Sequence, residues 1–261
     1  MSHDGAVTPD PWQALKAHTP ARVALGRTGV SVPTQELLRF GAAHAMARDA
    51  VHLPLNAAGL CKRLQTDGWP TLRVHSAAPD RATYLLRPDL GRRLDDASQH
   101  TLQQQTDATG CDLLLVAGDG LSSLALERHA LPLLTEVRRR APAGWRLGPV
   151  VVAEQARVAL GDPIGEALCT QLVAVLIGER PGLSSPDSLG VYLTWAPRTG
   201  RHDAERNCIS NIRPEGLPYA QAAHTLWWLA QEARRRQLTG VQLKDESGAP
   251  ALSAEPTAPR L

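Results

Sequence analysis

A chain of 261 residues, 43% hydrophobic and 21% charged, can bury one full core, or a core plus a small accessory section. Its formal net charge of +2 does not mark a nucleic-acid binder, and no apolar run reaches the roughly 20 residues that span a bilayer. The four cysteines, Cys61, Cys111, Cys169 and Cys208, contain no C-x-x-C pair, which argues against a zinc site or a disulfide framework. With aromatics at 4%, packing must rest on Leu, Val, Ile and Ala, which suits helices laid over a parallel sheet.

Residues 1–18 read as a flexible tail, with a short helix at 12–18 that stops at Thr19-Pro20. Residues 19–68 form a helical section. Gly26 and Gly29 favour an irregular path before it. A helix is expected over 35–51, with Thr34 as its cap and Glu36 in its first turn. A second is expected over 55–65, ending at Asp67-Gly68. From Pro70 the pattern changes to short apolar runs alternating with helical stretches, the signature of βαβ units over 69–245. Strands are expected at 72–76, 111–117, 149–153, 172–177 and 189–195. Helices are expected at 95–109, 121–140 with a break near Pro132, 155–160, 164–171 and 219–236. Arg138-Arg-Arg140 and Arg234-Arg-Arg236 fall at helix ends, where cations suit the dipole. Residues 246–261, rich in Pro, Ala and Ser, read as a disordered tail. The fold class is therefore α/β: a Rossmann-like, mostly parallel sheet flanked by helices and preceded by a small helical section.

Ligands of such sheets sit beyond the carboxyl ends of the strands. That rule singles out Gly118-Asp-Gly120, Glu154 and Gly178-Glu-Arg180. The first could hold a phosphate, but the dinucleotide fingerprint needs a third glycine where Ser123 stands. Gly120-Leu-Ser-Ser-Leu124 is not the nucleophile elbow G-x-S-x-G, and His129 falls on the same expected helix. The nine histidines offer no H-E-x-x-H, and His44 and His52 lie on different flanks of one helix.

Several segments carry more information than periodicity. They are Thr19-Pro-Ala-Arg-Val-Ala-Leu-Gly-Arg27, Ala43-His-Ala-Met-Ala-Arg-Asp-Ala-Val-His52, Arg87-Pro-Asp-Leu-Gly-Arg92 and Asp119-Gly-Leu-Ser122. Gln155-Ala-Arg-Val-Ala-Leu-Gly-Asp162, Gly178-Glu-Arg-Pro-Gly-Leu183, Ser188-Leu-Gly-Val-Tyr192 and Asn207-Cys-Ile-Ser-Asn-Ile-Arg-Pro214 follow in the same order. Together, from about Pro20 to Gly240, they resemble the small subunits of ethanolamine ammonia-lyase. The resemblance implies conversion of ethanolamine to acetaldehyde and ammonia by a radical mechanism with adenosylcobalamin (coenzyme B12). It implies a large catalytic barrel subunit as partner, which holds ethanolamine, within a higher hetero-oligomer. The small subunit closes over the cobalamin at the interface, without binding nucleic acid or membrane. Val158, Glu179 and Cys208 match the family's cobalamin contacts. Val158 would offer an apolar surface, Glu179 a hydrogen-bond acceptor, and Cys208 a small polarizable side chain. No histidine has Asp two positions before it, so the D-x-H-x-x-G motif that displaces the cofactor's own base is absent. Arg22, Arg27, Arg48 and Asp49 are candidate interface residues. The expected location is the cytoplasm, or a bacterial microcompartment loaded from it. Two readings from other classes stay open: a Rossmann-type nucleotide-dependent oxidoreductase and a non-catalytic microcompartment module.

Overall fold

The computed structural model describes residues 7–105 and 110–248. The end of the expected 95–109 helix and most of the expected C-terminal tail therefore lie outside the described residues. Six strands make one sheet: β1 (Thr71–His75), β2 (Leu113–Gly118), β3 (Leu147–Glu154), β4 (Leu172–Gly178), β5 (Leu189–Trp195) and β6 (Arg206–Ile212). Their order is β1-β3-β2-β4-β5-β6. The first four in that order run parallel, while β5 and β6 add antiparallel strands at one edge. The fold is mixed α/β on a mostly parallel sheet. β2 and β4 are buried along their whole length because they are covered on both faces. Leu113, Leu115 and Ala117 feed one apolar cluster and Leu114 and Val116 the other, the alternation that a strand imposes on successive side chains.

The helices are α1 (Thr34–His52), α2 (Ala57–Thr66), α3 (Arg81–Leu86), α4 (Asp96–Gln103), α5 (Ser123–Arg139), α6 (Gly161–Ala167) and α7 (Tyr219–Arg236). Leu60 and Leu64 of α2, Leu126 and Leu133 of α5 and Leu226 of α7 bury one face of the sheet. Leu102 of α4 and Ile164 of α6 bury the other. The placement follows from topology. The connections β1 to β2 and β3 to β4 cross the sheet in one direction and put α4 and α6 on the same face. β2 to β3 steps back, so α5 lies opposite, as a uniform crossover hand requires.

Some expectations need correction. Thr34 is the first helical residue of α1, after an N-cap at Pro33, and makes no capping bond. Helix α5 runs unbroken through Pro132, because Ala130, Leu133 and Leu134 on either side are buried in the core and hold the chain in line. The segment after β3 is a short 3-10 turn, Val158–Leu160, leading directly into α6, which ends at Ala167. Residues 12–18 contain a 3-10 turn, Gln13–Ala17. Two elements were not anticipated, α3 and β6. Asp80 caps α3 by accepting from the Thr83 N–H at 2.7 Å. Strand β6 is anchored by Arg206, which donates to both carboxylate oxygens of Asp162 on α6 at 2.7 Å, with Arg206 and Asp162 both almost fully buried.

Helix α1 is the exception to the packing. Only Ala43 and Ala50, seven residues apart on one stripe, are buried. Leu37, Leu38, Phe40 and Met46 are exposed. The helix is held at its C-terminal end, where its last carbonyls lack partners within the helix. Arg81 Nε donates to the Val51 carbonyl at 2.7 Å, and Ser123 Oγ donates to the Leu53 carbonyl at 2.8 Å. Among the described residues no helix is long and apolar enough to cross a membrane.

Candidate functional site

The crevice between β2 and β3 is the topological switch point, since the chain leaves these neighbours toward opposite faces. It is filled by the protein itself. Asp119, fully buried, accepts from the N–H of Ala156 at 2.8 Å and of Gln155 at 3.0 Å, and from Arg81 Nη1 at 3.2 Å. Burial pushes its carboxyl above the ordinary range, while Arg81 and the two backbone donors pull it down. One carboxylate thus locks the loop after β2 to the loop after β3.

The glycines beside it are set by backbone contact. Gly120 has φ +56°, and a Cβ there would lie 2.3 Å from the Gly178 carbonyl oxygen. A Cβ on Gly178 would lie 2.0 Å from the Ser122 carbonyl oxygen. The Leu121 N–H donates to Gly178 O at 2.9 Å, and Ser122 Oγ accepts from the Ala125 N–H at 3.2 Å. The start of α5 is capped and pressed against β4, so the Gly118-Asp-Gly turn has no free phosphate cradle. This is a tight strand-to-helix turn.

The open space lies one strand over, beyond the end of β4. A cavity of about 420 Å³ has apolar walls from Leu121, Val158 and Ile177, and aromatic walls from Tyr84 and Tyr192. Arg157, Glu179 and Arg180 supply its charges. Tyr84 is fixed from below, its hydroxyl donating to the Ala156 carbonyl at 2.9 Å. Arg157 lies over the Tyr84 ring at 4.4 Å, with Arg81 over the same ring at 4.8 Å.

Val158 and Glu179 both line this cavity. Glu179 makes no salt bridge with Arg180. Its carboxylate accepts a short hydrogen bond from the Ser188 hydroxyl, and one from the Asn211 N–H at 3.3 Å. It fits there because Gly190 has no side chain: a Cβ would lie 2.9 Å from Glu179 Oε1. Cys208 stands opposite Tyr192 in the β5–β6 ladder, so the two side chains share a face of the sheet. Burial pushes its thiol up, against a hydrogen bond with Tyr192 that lowers it. The residue as a whole is exposed rather than an enclosed core thiol. The structure therefore brings Val158 and Glu179 into one cavity, while Cys208 is not among its lining residues and stands across the ladder from the wall residue Tyr192.

Residues 9–244 match the family model for the ethanolamine ammonia-lyase light chain. The chain is 55% identical to the ethanolamine ammonia-lyase small subunit of Pseudomonas syringae pv. tomato over 98% of this chain and 90% of that one. It is 57% identical to that of Ralstonia nicotianae, with 95% and 93% covered. It is 55% identical to that of Pseudomonas putida, with 99% and 96% covered. The chain belongs to the ethanolamine ammonia-lyase light-chain family.

Within that family assignment, the cavity also contains residues that sequence reasoning did not single out: Tyr84, Arg157 and Tyr192. Each falls inside or beside a segment that carries the family resemblance, but only the folded sheet shows that they converge. A larger cavity, about 750 Å³, opens at the amino ends of the strands around Trp69, Leu147 and Cys111. Arg138 is stacked on Trp69 there at 3.8 Å, and burial pushes the Cys111 thiol up. It lies at the opposite end from every residue that resembles a family contact. Among the described residues no group of three or more His, Cys, Asp or Glu side chains is placed to hold a metal ion.

Proposed function

We propose that the chain is the small subunit of an adenosylcobalamin-dependent ethanolamine ammonia-lyase, and that its crevice beyond β4 forms part of the cobalamin seat. One observation carries the reading: Val158 and Glu179, 21 residues apart in sequence, line one cavity, and Cys208 pairs with its wall residue Tyr192. The lining suits a corrinoid, which presents an apolar ring face, amide arms and a nucleotide tail. Val158, Leu121 and Ile177 offer apolar contact. Glu179 is an acceptor held in place by Ser188 and Asn211. Among the described residues the buried Arg157 Nε has no hydrogen-bond partner, a donor that a ligand would satisfy. None of the residues lining the cavity is a histidine, which agrees with a cofactor that keeps its own base.

When bound, adenosylcobalamin supplies the radical chemistry of the family's reaction. The chain's residues bind and orient. Asp119 and Arg81 hold the two loops in register, Tyr84 supports Arg157, and Val158 with Tyr192 gives the cofactor a wall to pack against. Ethanolamine itself belongs to the larger barrel subunit in this reading. The exposed apolar residues of α1, Leu37, Leu38, Phe40 and Met46, are the surface that partner covers.

Co-expression with the large subunit tests the proposal. The two chains should purify as one complex that binds cobalamin and forms acetaldehyde from ethanolamine only when adenosylcobalamin is added. A stable complex that binds no corrinoid would defeat it.

A further inference from the structure

The charge balance of the cavity says more about what it takes. Two guanidinium groups face it, Arg157 and Arg180, and one carboxylate, Glu179. That carboxylate is turned onto the protein's own Ser188 and Asn211. Among the described residues neither guanidinium has a carboxylate partner. Arg157 makes one long bond, donating from Nη2 to the Tyr84 carbonyl at 3.4 Å, and its buried Nε makes none. Its plane is nonetheless fixed by stacking on Tyr84. An oriented guanidinium with unused donors is a recognition group for a phosphate, which it meets with two parallel bonds.

Size points the same way. About 420 Å³ falls within the range of small-ligand sites, roughly 300–1,000 Å³, and is too small for a corrin ring with its arms. It suits a base, a ribose and a phosphodiester. We infer that Arg157 and Arg180 hold the phosphodiester of the cofactor's nucleotide tail, with the attached base lying against Val158 and Tyr192. This rests on the cobalamin reading above and assigns one portion of the cofactor to this cavity. The same positive charge disfavours ethanolamine, itself a cation at neutral pH, so the cavity is no substrate site.

The test is equilibrium binding to the two-subunit complex, followed by the corrinoid's visible absorbance. Two probes share the corrin ring: cyanocobalamin, which carries the nucleotide tail, and dicyanocobinamide, which lacks it. Arg157→Gln and Arg180→Gln should each weaken cyanocobalamin binding about tenfold, the worth of a charge-assisted hydrogen bond, and leave cobinamide binding unchanged. Arg157→Lys should recover part of the loss. Cyanocobalamin affinity should also fall with salt in the wild type and less so in the double variant. Equal losses for both probes would make the arginines structural and overturn the inference, as would no loss for either. Arg180 is exposed, so its variant folds and carries the test even if Arg157→Gln does not. A wild-type complex that binds neither probe would instead remove the cobalamin reading, and this inference with it.

Discussion

Exchanging Asp119 for Asn leaves the buried Arg81 guanidinium without its counter-charge, and turns one of the two acceptor oxygens that face backbone N–H groups into an NH2 donor. Breaking a buried pair from one side costs roughly 3–5 kcal/mol, because the remaining charge has no water to turn to. Asp119→Asn should therefore lower unfolding stability by about that amount in urea denaturation, and Arg81→Met added to it should recover part of the loss. A loss below about 1 kcal/mol would mean that the two loops are held by other contacts. Asp187 behaves differently. Burial opposes its ionisation, but a 2.7 Å bond from Arg128 and the neighbouring His129 outweigh burial and hold the carboxyl below its ordinary value. A folded-state value below the unfolded one stabilises the fold above about pH 4 and is lost as pH falls through the folded value. Arg128 is 55% exposed, so the contribution is expected under about 1 kcal/mol. The advantage of wild type over Asp187→Asn in urea midpoint should begin to shrink below about pH 4 and vanish only as pH falls through the lower folded value.

At the scale of elements, α1 separates association from folding. Its exposed leucines contribute little to the fold, so Leu38→Asp should leave the circular-dichroism spectrum and melting temperature of the chain nearly unchanged. The same substitution places a charge in the face assigned to the large subunit, and co-purification with that subunit should drop at least about tenfold. Unimpaired co-purification would move the interface elsewhere. The elements also show why some of the fold was legible in sequence. Strand β5 (Leu189–Trp195) and helix α7 (Tyr219–Arg236) have the bounds expected, because an apolar run or a 3.6-residue period states them locally. Strand β6 was not, since Arg206-Asn-Cys-Ile-Ser-Asn-Ile212 has an edge strand's sparse apolar content, and its anchor is an ion pair with α6, which no local pattern reveals. Pro132 misleads for the same reason: the packing that carries α5 through it is tertiary. Glu179 is picked out by its place after β4 as well as by the family resemblance, whereas Val158 and Cys208 come forward through the resemblance alone. Arg157, next to Val158, was not legible, because an unpaired guanidinium is defined by the absence of partners in space.

For the whole molecule, the question is how much of a cofactor this chain can enclose alone. Sites that hold small molecules tightly bury roughly 70–90% of the ligand surface. The cavity beyond β4 is about 420 Å³, and a corrinoid is larger than the ligands that such a volume encloses. The switch-point crevice next to it cannot add room, since Asp119, Arg81 and Gln155 occupy it. Opening it would require separating backbones already in contact at Gly120 and Gly178. Partly filled and open on one side, this surface has room in the proposed reading for one portion of a corrinoid but cannot shield the rest from water. In the proposed reading the remaining contact area comes from the large subunit. The isolated chain should therefore bind cyanocobalamin at least about a hundredfold more weakly than the complex, a difference of about 2.8 kcal/mol. Fluorescence of the tryptophans during titration, with and without the large subunit, measures it. Equal affinity in the two states would mean that the chain encloses the cofactor unaided, which this cavity is too small to do.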